Sequence, residues 1–123
     1  LSSSSAASDV YKRQVVDRLE DALSKIEKRC ENIIFTYHRM LKEGVTDDLP
    51  LDIDGSITEL EKRLKAAWRG ITILKKFPKN SESLVLHRRR IFDNMGKIKK
   101  LMVTLMKTMG NQVSQDETGA LML

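Results

Sequence analysis

The 123-residue sequence predicts an all-α fold of three long, heptad-patterned helices that form a helical hairpin and coiled-coil bundle with partner chains. Three observations carry this. From Val16 to Met40 the apolar residues Val16, Leu19, Leu23, Ile26, Cys30, Ile33, Tyr37 and Met40 alternate spacings of three and four without a miss. That repeat holds one narrow apolar line toward a neighbouring helix. The same spacing returns twice more, after breaks rich in turn-forming residues. The composition, 32% charged and 5% aromatic, suits long helices with solvated faces better than a thick core.

The opening stands apart. Residues 1–14 have neither caps nor periodicity, and the run Ser4-Ser5-Ala6-Ala7-Ser8-Asp9-Val10-Tyr11-Lys12-Arg13-Gln14 is similar to the in-frame translation of a transposase sequencing adapter. It is read as a disordered artefact without function, the natural chain being expected to begin at or just before Val15, with its start codon missing. Setting this segment aside removes one acidic and two basic residues and lowers the net charge from +5 to +4. So mild a surplus favours an acidic partner, and it also suits an ordinary soluble surface.

The first helix is placed at about residues 15–42, ending before Gly44, a residue fitted to the left-handed turn that closes helices. Glu20 and Glu27 sit one place after the seam and Arg29 one place before, positions that select partners in coiled coils. Ile34 and Leu41 widen the stripe enough to touch two helices, which favours three helices around an axis over two. Cys30 lies on the seam and reads as a small buried apolar residue in a reducing compartment. His38, eight residues on and about 80° around the helix, is out of reach as a base for it.

Glu43 to Gly55 is an acidic linker. Its aspartates, Asp47, Asp48, Asp52 and Asp54, lack the closing glutamate of a calcium loop, and no metal site is assigned. The second helix, about 56–77, is expected to start on a capping box, Ser56-Ile57-Thr58-Glu59. Its seam is Ile57, Leu60, Leu64, Ala67, Ile71 and Leu74, with Trp68 beside Ala67 filling the gap between facing helices. Gly70 costs about 1 kcal/mol relative to alanine inside a helix and marks a point of close approach. Phe77-Pro78 ends the helix.

The third helix, about 84–109, carries Ile91, Met95, Ile98, Met102, Leu105 and Met109, with Arg88 where the same seam would begin. The methionines read as core filling. His87, Arg88, Arg89, Arg90, Lys97, Lys99, Lys100 and Lys107 make this the most basic helix. Such a face is ordinarily a solvated one; Arg88, Arg89, Arg90, Lys97, Lys99 and Lys100 are candidates for contact with an acidic surface. Gly110 closes the helix, and residues 110–123 are expected to be a flexible tail.

No phosphate-cradling loop, no histidine pair at metal spacing and no nucleophile with base and orienting acid is present, so neither catalysis nor a cofactor is expected. No apolar run approaches the ~20 residues that span a bilayer. Few aromatics and strict seams favour helices shared with other chains over a self-contained bundle. The candidate partner interface is Leu19, Leu23, Ile26, Cys30, Ile33, Tyr37, Leu60, Leu64, Trp68, Ile71, Leu74, Ile91, Met95, Ile98, Met102 and Leu105.

The residues Val16-Asp17-Arg18-Leu19-Glu20, Lys25-Ile26-Glu27 and Ile33 resemble the start of the second subunit of the spindle and kinetochore-associated (Ska) complex. The likeness continues through the leucine-rich second helix, with an aromatic near Phe77, and through Arg90-Ile91 into a lysine-rich, methionine-bearing helix ending near Lys107. It implies a non-catalytic subunit that interlaces its helices with two sister subunits in a complex that dimerises and couples kinetochores to spindle microtubules in mitosis. Its tubulin contact would be indirect and its place the kinetochore and spindle. The alternatives are a coiled-coil subunit of another assembly, such as a different kinetochore complex, Mediator or a tether, or a basic helical domain that binds nucleic acid.

Overall fold

The computed structural model describes residues 2–45, 49, 52–76 and 82–110, which form three α-helices. These are α1 (Ser2–Glu43), α2 (Ile53–Lys76) and α3 (Glu82–Met109). Glycine stops two of them where the sequence places the stops. At the end of α1, Gly44 adopts φ 71°. Its amide donates to the Leu41 carbonyl at 3.2 Å, and the Val45 amide donates to that of Met40 at 3.1 Å. This paired closure is the Schellman arrangement. At the end of α3, Gly110 (φ 66°) makes the simpler left-handed cap with one bond to the Met106 carbonyl at 3.0 Å.

All three starts differ from expectation. Helical backbone runs through residues 2–14, so the expected disorder of the opening is corrected. The segment contains neither glycine nor proline to stop a helix continuing from Val15, and Ala6, Ala7, Lys12, Arg13 and Gln14 are good helix formers. Its likeness to an adapter concerns the DNA and is independent of conformation. The second helix begins at Ile53, three residues before the expected capping box. The Ser56 amide already donates to the Asp52 carbonyl at 3.1 Å, which puts Asp52 at the cap and Ser56 inside the helix. An Asp52 carboxylate oxygen lies 2.7 Å from where a Cβ on Gly55 would stand, so the glycine leaves room for it. The third helix starts at Glu82, two residues early. The Phe77-Pro78 stop and the C-terminal tail from residue 111 lie outside the described residues.

Side-chain bridges fix the topology. Lys12 Nζ donates to the Lys75 carbonyl at 2.7 Å and Tyr37 Oη to Asp54 at 3.2 Å, so α1 and α2 run antiparallel. Asn94 Nδ2 donates to the Arg63 carbonyl at 3.0 Å, and a His87 ring nitrogen lies 3.1 Å from the Gly70 carbonyl, so α2 and α3 are antiparallel too. Helices α1 and α3 are therefore parallel, with Cys30 Sγ 3.6 Å from Met102 Sδ toward their C-terminal ends. Between α2 and α3 the approach is close at Gly70, where an added Cβ would meet Ile91 Cγ1 at 3.0 Å. The glycine predicted as a contact point is one.

All three seams meet in one core. Leu23, Leu60, Leu74 and Ile98 are wholly inaccessible, and Leu19, Ile33, Ile71 and Leu105 nearly so. The all-α class is as expected. What differs is the mating: each seam finds its neighbours within the same chain.

Candidate interaction surface

The side chains read from sequence as a partner interface are the interior of the bundle. All are buried except Leu64 and Trp68, which are half-buried and pack against the same core. A two-in-seven seam has the same pattern whether its mate is another chain or another helix of the same one, and the linkers let this chain fold back on itself. The flanking charges are also taken up internally. Glu20 pairs with Lys75 at 2.5 Å across α1 and α2. Glu27 accepts a 2.6 Å hydrogen bond from the indole Nε1 of Trp68. Such a bond to an ionised carboxylate is stronger than a neutral one and holds the indole in a single orientation over the core. Nothing in the sequence signalled it, because the two residues are far apart along the chain.

Cys30 is fully inaccessible, and its thiol is pushed up to about 12 by burial first and by Glu27 and Glu31 after it. It stays a protonated thiol at neutral pH, as a packing residue should. The unfolded thiol ionises near its ordinary value of 9.0. Between that pH and about 12 the unfolded state releases a proton that the folded state keeps, so stability falls as pH rises through this window. The folding constant should drop by roughly tenfold per pH unit at most. Urea midpoints measured from pH 8 to 11 on the wild type and on Cys30→Ala should converge as pH rises, with the difference isolating the thiol. Parallel curves would show that the thiol ionises equally in both states. Burial, and then the hydrogen bond to Asp54, push Tyr37 up as well, which deepens the alkaline loss in both proteins equally.

The candidate basic contact residues do not form one patch. Arg88 is half-buried at the edge of the seam, its guanidinium 5.4 Å from the centre of the Phe92 ring, a cation–π contact. The seam itself starts at Leu84, so Arg88 is not its first member. At about 100° per residue, Arg88 and Lys99 fall on the α1 side of α3, Arg89 and Lys100 face outward, and Arg90 and Lys97 turn toward the α2 side.

Ile34 packs against the core as part of the widened α1 stripe, but Leu41, expected beside it, is 44% exposed, because it lies near the end of α1 beyond the packed seam. Sequence reasoning missed other exposed apolar residues: Val85, Leu86, Phe92 and Val103 of α3, and Phe35 of α1. A cleft of about 60 Å³ between α1 and α3 is lined by Tyr11, Gln14, Val15, Arg18, Arg88 and Phe92. On the other side of α3, Asn94 and Arg63 border an open depression with Gly55, Thr58 and Lys62. Among the described residues no three His, Cys, Asp or Glu side chains gather in a way that would hold a metal ion. None of the described helices is long and apolar enough to cross a membrane. Compared with known proteins, the chain matches no family model, no curated protein sequence and no solved structure.

Proposed function

We propose that this chain is a non-catalytic structural subunit that packs a finished three-helix bundle against helices of other chains. The observation that carries this reading is the exposure of Val85, Phe92 and Val103 along one flank of α3, outside a core already filled by the chain's own seams. Single exposed apolar residues are ordinary on a soluble surface; a row of them along a helix is the usual mark of a docking face.

The more specific proposal is a subunit resembling the second subunit of the Ska complex, assembled with sister subunits at the kinetochore and linked through them to spindle microtubules. Its support is the run Val16-Asp17-Arg18-Leu19-Glu20 with Lys25-Ile26-Glu27 and Ile33, and the order of three helices. Partners then pack on the outside of the bundle rather than interlacing with its seams. Co-expression with the helical N-termini of Ska sister subunits tests it, with mass measured by sedimentation equilibrium. A defined mixed oligomer is expected. A helical monomer that ignores those partners removes the Ska assignment.

A nucleic-acid-binding domain is the second reading, favoured by the surplus of cations on α3. Its binding would weaken steeply with salt, since each neutralised phosphate releases a counterion.

A further inference from the structure

We infer that the flank of α3 facing the α1 groove docks an amphipathic helix whose own flanks are acidic, supplied by a different chain. This rests on the assembly role just proposed and names its face and its partner's chemistry. At about 100° per residue, Val85, Phe92, Gly96 and Val103 fall within about 40° of one another, in a column about 27 Å long. The three apolar members are 50%, 46% and 51% exposed. The cleft lined by Val15 and Arg18 of α1 with Arg88 and Phe92 of α3 sets this column at the edge of the α1–α3 groove.

Gly96 supplies a second observation. Inside a helix glycine costs about 1 kcal/mol relative to alanine. Gly70 has a reason within the fold, since a Cβ there would press on Ile91. Gly96 has none: an added Cβ would meet nothing within 4 Å. A notch that its own bundle leaves empty, in line with exposed valine and phenylalanine side chains, is suited to the close approach of another helix backbone.

Charge decides which helix. Arg88, Arg89, Lys99, Lys100 and Lys107 border the column against a single acid, Glu82 at its N-terminal end, and Arg18 faces it across the groove. Of these, Arg89, Lys99, Lys100 and Lys107 make no ion pair among the described residues. Glutamates beside a partner's seam would meet them as flanking charges meet in coiled coils. A second copy docking through the same face would set cation against cation. A lipid surface would gain nothing from a glycine notch.

The test titrates the full chain against a fluorescent synthetic helix of about four heptads, with an isoleucine and leucine seam and glutamate at both flanking positions, and against its lysine-flanked twin. The glutamate peptide should bind saturably, at least about tenfold tighter than the lysine one, and more weakly as salt rises. Val103→Asp should cost about tenfold or more in that binding while leaving the circular dichroism melt intact, because Val103 is half exposed. Gly96→Leu should weaken binding as much. Ile73→Asp, at an exposed position on α2, should leave it unchanged. Equal binding of both peptides, or undiminished binding by Val103→Asp, overturns the proposal. So does capture by phosphatidylserine vesicles that excludes the peptide, or a self-dimer that Val103→Asp dissolves. If co-expressed helical partners assemble equally well with Val103→Asp, the face is wrong and the assembly role stands. If no helical partner or peptide binds at all, both fall.

Discussion

Ile33→Asp should unfold the isolated chain. Ile33 is 1% exposed on α1 and belongs to the common core. An ionised carboxylate there has no partner and no water, a cost of about 4 kcal/mol or more. A domain this size is stable by only about 5–15 kcal/mol, and at the lower end of that range the penalty removes most of it. The expected spectrum at pH 7 lacks both native helicity and a cooperative thermal transition. Acid should restore part of it, because a carboxyl group in an apolar core binds its proton more tightly than one in an unfolded chain, so protonation favours the fold. The contrary outcome is a variant that is fully helical and cooperative alone yet fails to assemble with partners. It would mean that the seam faces other chains and not its own helices.

Leu105→Ala should lower the stability of the bundle by about 2–5 kcal/mol, through lost apolar transfer and the cavity left behind. Leu105 is 1% exposed, whereas Val103, two residues earlier, is 51% exposed. Val103→Ala should therefore move the urea midpoint by no more than about 0.5 kcal/mol equivalent. The pair separates the two roles of α3: Leu105 holds the chain together, and Val103 serves what lies outside it. Similar destabilisation by both would deny that the outer column is free of the fold.

Much of this architecture was legible in the residues. The alternation of three and four identifies each helix and each buried face, because a side chain that must stay out of water on a helix can recur only at that spacing. Gly44, Gly110 and Gly70 also announced their roles, since a left-handed closure and a tight crossing both exclude a Cβ. The cap of α2 was less legible: Asp52 and Ser56 both suit a helix start, and Gly55 weakens only slightly the turn between them. The mates of the seams were not legible at all. Periodicity states that a face is covered, and covering is satisfied equally by a sister chain or by the next helix along. The exposed column of α3 was hidden for another reason. Val85, Phe92 and Val103 are unremarkable one by one, and Gly96 gains meaning only once the space around it is known to be empty. Tertiary pairs such as Trp68 with Glu27 carry no periodic signal and come only from the packing.

The complete burial of the single cysteine has a practical consequence. A thiol that neither meets solvent nor ionises near neutrality does not compete for maleimide dyes while the bundle is folded. A second cysteine introduced at an exposed site away from the docking column, such as Ile73 or Phe35, would take the label alone, with Cys30 left in place. Fluorophores and spin probes can then report distances to any bound helix on the native background, and a rise in labelling at Cys30 would mark the moment the bundle opens.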